Sequence, residues 1–334
     1  MAKLDDSNFI NFIDEEELNK IALCFSKGQF DTIVKEYLTD NIIKKMSSDS
    51  LTQQLAISIR LFCQLKCKLL NDAKKALLSI STQNNTLIFP LLFLKVQAYI
   101  YNGEYKLAIE ILGEMKYRYD TYITNSNKEP TDIIYIETNE CKFKYFSNLF
   151  IYLFGINNLD IKIKKIYFEL SHTLSSISFA NESFALIEEM HKRYPDDIVV
   201  LFTYAKLSIM LSYKVKYENA IREMKELSNS TEEQKKKSII DNYLAYASTF
   251  ESIGKNDYEK AKNTLVSLRN QSSNNPLIEN NIALINVMTN KIDEGYSELI
   301  NIVDKNKMDS SNDFIVSNIH TVSDYFNKKY IVNS

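Results

Sequence analysis

Between Lys164 and Pro195 the sequence sets large apolar residues at Tyr167, Leu170, Leu174, Ile187 and Met190, and small ones at Ser171 and Ser183. The same alternation then returns three more times. It reappears as Leu201, Tyr204, Ala205, Ala220, Met224 and Leu227, and then as Tyr243, Tyr246, Ala247, Phe250, Ala261, Leu265 and Leu268. From Pro276 it runs through Ile282, Ala283, Ile292, Gly295, Leu299 and Ile302. Gaps of three and four residues are the period of one helix face. A small residue in each of two successive helices lets their backbones cross closely, while large residues fill the space around the crossing. A unit of about 34 residues cannot bury its apolar face alone, so copies must stack on one another. No other feature of the chain restricts its fold as strongly.

The spacing is that of the tetratricopeptide unit, a pair of antiparallel helices. A fifth copy lies upstream as Leu92, Tyr99, Gly103, Tyr105, Ala108, Leu112 and Met115. Weaker ones surround Gly28, Phe30, Ile33 and Tyr37, and Leu61, Leu70, Ala73 and Leu77. Only 6 Gly and 4 Pro occur in 334 residues, too few for the turns of a many-stranded sheet. The expected fold is all-α, a tetratricopeptide-like right-handed superhelical solenoid of antiparallel helix pairs. The expected order is an N-terminal segment at 1–12, N-terminal helical repeats at 13–118 and a polar loop at 119–132. A divergent aromatic helix at 133–155, tetratricopeptide repeats at 160–305 and a capping helix at 312–330 follow. Between the helices of the Tyr243 unit, Gly254 is expected to supply the left-handed residue that stops the first helix.

Composition narrows the function. With 40 Lys plus Arg against 43 Asp plus Glu, the net charge of -3 lacks the basic excess of a nucleic-acid binder. Cys24, Cys63, Cys67 and Cys141 form no C-x-x-C pair and read as buried free thiols in a reducing compartment. The polar start of the chain argues against a secretory signal, and no apolar run approaches the roughly 20 residues of a membrane span. A cytoplasmic protein is expected. His172, His191 and His320 are scattered, with no paired-His or Cys/His metal spacing and no glycine-rich phosphate loop, so no metal, cofactor or catalytic residue is assigned. His191 falls at a helix C-terminus, which favours a cation. The acidic run at 14–17 suits a helix N-terminus, and Lys235 to Lys237 suit a solvated helix face with i,i+4 pairing.

What remains is surface. In a tetratricopeptide pair the first helix lines the concave groove; counting each repeat from Phe89, Lys164, Ile198 and Ile240, slot 5 is Phe93, Phe168, Phe202 and Leu244, and slot 9 is Gln97, His172, Lys206 and Ser248. A groove for an acidic tail needs repeated Lys, Arg and Asn at these places. This one reads as apolar with a mixed polar edge, which implies that a partner or another part of the chain fills it.

Several stretches carry a family resemblance. They are Asp49-Ser50-Leu51, Ile88-Phe89-Pro90 through Gly103 to Leu112, Arg193-Tyr194-Pro195, Asn275-Pro276 through Asn280-Asn281-Ile282-Ala283, the run from Lys291 to Leu299, and Ser317-Asn318-Ile319-His320-Thr321. Together they resemble the C-terminal tetratricopeptide region of the subunit 12 family of the TRAPP (trafficking protein particle) complex. The segment 133–163 has no counterpart there. The resemblance implies a non-catalytic subunit of an assembly that tethers vesicles between endoplasmic reticulum and Golgi and acts with Rab GTPases. It also implies partners such as TRAPP subunits 8 and 11, and only indirect contact with membranes. Two other readings fit a helical-repeat chain, the epsilon subunit of coatomer and a peptide-binding co-chaperone or import receptor.

Overall fold

The computed structural model describes residues 20, 21, 23–25, 27–45, 51–67, 69–78, 89–125, 158–271, 275–305, 315 and 318–324. Every regular element among them is helical, and the chain divides into two compact units between Leu186 and Ile187. In the first unit helical residues at 20, 21 and 23–25 precede a helical turn, Phe30–Thr32, that passes into a π-helical turn, Ile33–Tyr37. It continues with α1 (Asp40–Lys45), α2 (Leu51–Lys66), α3 (Leu70–Leu78), α4 (Phe89–Tyr101), α5 (Tyr105–Asn125) and α6 (Leu159–Ser176), and ends inside α7 (Ala180–Arg193). The second contains α8 (Ile198–Met210), α9 (Lys214–Ser230), α10 (Gln234–Gly254), α11 (Tyr258–Gln271), α12 (Pro276–Met288) and α13 (Ile292–Lys305), followed by helical residues at 318–324. Within each unit consecutive helices pack as antiparallel pairs, α4 with α5, then α8 with α9, α10 with α11 and α12 with α13, in tetratricopeptide order.

Local chemistry starts and stops these helices. Asn158 accepts from the amide of Ile161 at 3.0 Å, Asp197 from those of Val199 and Val200, and Asn275 from that of Leu277 with Pro276 following. Each satisfies amides that have no partner inside the helix. Six of the described turns share one device, a residue with positive φ. It is Gly28 (φ 69°), Gly103 (75°), Ser178 (70°), Ser212 (61°), Asn256 (60°) and Asn290 (68°). In each, the next amide reaches five residues back, as in Glu104 to Tyr99 (2.8 Å), Phe179 to Leu174 (2.9 Å), Tyr213 to Ser208 (2.7 Å) and Lys291 to Asn286 (2.8 Å). This is the closing bond of a Schellman turn. In the α10–α11 turn the left-handed residue is Asn256, not Gly254. Gly254 is the last residue of α10, and it is Asp257 that bonds back to Ser252. Asparagine tolerates this region because its short polar side chain bonds locally.

The small slots lie where the helices cross. In the first unit Ser171 and Ser183 are buried, their hydroxyls 2.7 Å apart, so the crossing carries a hydrogen bond where alanines would carry none. Ser171→Ala alone is expected to cost about 1–2 kcal/mol, because the hydroxyl of Ser183 then stays buried without that partner. The Ser171→Ala/Ser183→Ala pair should recover much of the loss in urea melts. Strict additivity of the two single variants would reject the bond as a contributor.

The second unit has two linked apolar clusters. Ala261, Leu265 and Leu268 of α11 meet Ile278, Ile282 and Ile285 of α12, and Ala283, Ile292, Leu299 and Ile302 pack with Ile315 and Val322. The terminal helix is held further by Asn318, whose amide donates to Asn280 at 2.9 Å.

Some expectations shift. Residues 119–125, assigned to a loop, continue α5. Tyr119 is 1% exposed and edge-on to Phe89 at 6.0 Å, and Asp120 accepts from Lys116 one turn earlier. A buried aromatic and an i,i+4 ion pair favour helix over the turn residues that begin only near Asn125. Lys235 to Lys237 lie in the first turn of α10 and form no ion pair among the described residues, so the expected i,i+4 pairing is absent there. Of the described thiols, only Cys63 is fully buried, with its pKa pushed up by burial, while Cys24 and Cys67 are half-buried. Cys141, the acidic run at 14–17 and the helix expected at 133–155 lie outside the described residues.

Candidate functional site

In the first unit the groove positions differ in exposure. Phe93 is 6% exposed, stacked on Phe89 at 5.8 Å, with the Lys165 ammonium 5.9 Å above its ring. The reason is that the first two turns of α4 are buried on every side. All residues from Phe89 to Val96 are buried, including Lys95, so slot 5 belongs to the core there. Gln97 and Phe168 are half-buried, and His172 is exposed. Lys162, 1% exposed, places its ammonium 5.4 Å from the Phe89 ring. Burial lowers the pKa of Lys165, against the attraction of Glu169 one turn on, and raises that of Glu169, against Lys165.

The second unit is different. Phe202 of α8 is half-buried and meets three rings of α10, Tyr243 at 5.0 Å, Phe250 at 6.1 Å and Tyr246 edge-on at 6.4 Å. Burial raises the pKa of Tyr243 and Tyr246, so both phenols stay protonated. Lys206, exposed one turn after Phe202, holds its ammonium 5.8 Å over the Phe250 ring. Leu244 is half-buried, and the half-buried Ser248 donates to the carbonyl of Ala245 at 2.8 Å. Thus Phe202 and Lys206 are brought together over a ring from the next pair, while Ser248 spends its hydroxyl on its own helix.

Sequence reading missed a polar cluster joining α7, α8 and α9. The His191 ring stacks on Tyr204 at 4.6 Å, and its Nε2 lies 2.6 Å from Glu223. Lys216 donates to Glu188 at 2.6 Å, and this bond keeps the Glu188 pKa low. Tyr204 also donates to Glu188, and its pKa is raised by burial first and by that carboxylate next. His191 lies in a basic last turn as expected, but its partner is 32 residues away, out of reach of a spacing rule. Its hydrogen bonds and the His191–Tyr204 stack tie α7, α8 and α9 together. Among the described residues no group of His, Cys, Asp and Glu could hold a metal ion, and no helix is long and apolar enough to cross a membrane.

The sequence matches no family model and no curated protein. Among solved structures it is similar to a chain of the crystal structure of the APC/C hetero-tetramer Cut9–Hcn1, at 13% identity and a TM-score of 0.43. The match covers 90% of this chain and 48% of that one, so this chain spans about half the length of its neighbour.

Proposed function

We propose that this protein is a non-catalytic scaffold or adaptor subunit that works by binding other proteins, within a vesicle-tethering assembly of the TRAPP type between endoplasmic reticulum and Golgi. The observation that carries the adaptor reading is the α8–α10 surface. Phe202, Tyr243 and Phe250 pack between the stacked pairs there yet stay only half-buried, beside the exposed Lys206. The tether, its subunits 8 and 11, its Rab GTPases and a cytoplasmic or peripheral location are supported by the sequence stretches that resemble subunit 12. Two of these stretches, around Asn280 and Asn318, meet in a side-chain hydrogen bond. Coatomer epsilon and a peptide-binding co-chaperone are the alternatives.

Affinity purification of the full chain from its source cell, followed by mass spectrometry, tests this reading. Stoichiometric recovery of TRAPP subunits is expected. Coatomer subunits or a chaperone would transfer the assignment to the corresponding alternative, and a chain that elutes alone would refute an adaptor role.

A further inference from the structure

Resting on the adaptor reading above, we propose that the α8–α10 surface of the second unit receives an amphipathic helix of a partner protein, through its apolar stripe and one carboxylate set against Lys206. Val199, Phe202, Lys206 and Met210 are spaced three, four and four residues apart, which aligns them on one stripe of α8 about 16 Å long. Val199 is 40% and Met210 62% exposed, so the stripe ends in apolar side chains open to solvent. Its middle is firm, because Phe202 is wedged among Tyr243, Tyr246 and Phe250. Leu244 widens the surface on α10. A thioether such as Met210 adjusts to differently shaped apolar partners.

Charge selects the occupant. Lys216 is bonded to Glu188, Lys255 to Glu251 and Lys262 to Asn286. Lys206 by contrast forms no hydrogen bond or ion pair with any described residue, and its ammonium lies over a ring. It can therefore take one carboxylate from outside. An extended acidic tail needs several cations in a row, and the neighbouring positions Val199, Phe202, Met210 and Leu244 supply none. A helix with apolar residues at i, i+3 or i+4 and i+7 and a single Asp or Glu beside them matches both the stripe and the charge.

The experiment is selection of random 16-residue peptides on the full chain by phage display, followed by anisotropy titration of the selected peptides. Enriched peptides should show the helical apolar spacing with one acidic residue. Lys206→Glu, at an exposed position, should weaken them about fivefold with an unchanged melting curve, and replacing the peptide's acidic residue by Lys should restore affinity to that variant. Val199→Asp should weaken both forms of peptide. With one ion pair involved, raising NaCl from about 50 to about 500 mM should change affinity less than about threefold. The proposal is overturned if polyacidic extended peptides are enriched, if selected peptides bind Lys206→Glu as well as the parent, or if nothing is enriched. If it fails while purification recovers stoichiometric partners, the adaptor role stands and only this surface is wrong; failure of both removes both.

Discussion

Gly295→Val is expected to strip most of the stability from the α12–α13 pair. A methyl group on Gly295 would lie 2.6 Å from the Ala283 carbonyl oxygen, 2.6 Å from a Val287 methyl and 3.2 Å from the Val287 amide nitrogen. The Val287 methyl can rotate aside, but the carbonyl is backbone, so α12 and α13 must move apart. Overpacking of a tight crossing costs about 1–3 kcal/mol for small additions. For Gly295→Ala up to about 1 kcal/mol of this is offset by the better helix propensity of alanine. Valine adds two further methyls at the same crossing, so its loss should exceed that of alanine. Gly113 is the control. It lies in α5 with nothing within 4 Å of an added methyl, and Gly113→Ala should raise stability by up to about 1 kcal/mol. Urea melts of the three variants check the order. A Gly295→Ala protein stabilised as much as Gly113→Ala would show that the crossing has room.

Leu265→Ala should be the most damaging of the cavity-forming changes at the α11–α12 contact. Leu265 is fully buried between Ala261, Leu268, Ile278, Ile282 and Ile285, so its truncation removes apolar contacts from both helix pairs at once. Buried Leu→Ala changes cost about 2–5 kcal/mol, depending on how far the neighbours collapse. In a stacked array each pair is stabilised by its neighbours, so weakening one contact reduces the coupling along the chain as well as the total stability. The expected result is a melt in which α12 and α13 lose protection before α8 and α9, read by amide hydrogen exchange. Leu277→Ala, where the side chain is 47% exposed, should stay within about 0.5 kcal/mol of the parent. A single cooperative transition for Leu265→Ala at parent stability would contradict the stacked-pair account.

These outcomes depend on positions that the repeat spacing had already marked. Gly295, Ala283, Ser171 and Ser183 were legible as small slots, and Leu265 and Leu268 as large ones, because helix periodicity is written within a few residues. The turns were legible less well. Gly103 signals its left-handed conformation, whereas Ser178, Ser212, Asn256 and Asn290 adopt the same conformation with residue types that occur anywhere. Gly254 drew attention for its type alone. The end of α5 is not legible for a related reason, since Tyr119 is held in helix by Phe89, a contact from another element.

The groove shows the limit most plainly. Phe93 and Phe202 occupy the same slot in their repeats, yet one is core and the other is a half-open platform. Local spacing determined that the chain makes paired helices, where they cross and which residues are small, because those requirements act over one or two turns. The tertiary structure decided that the first two turns of α4 are enclosed on all sides, that His191 meets Glu223 and that Lys206 is left above Phe250. Burial and charge pairing depend on neighbours tens of residues away, and no short window of sequence contains them.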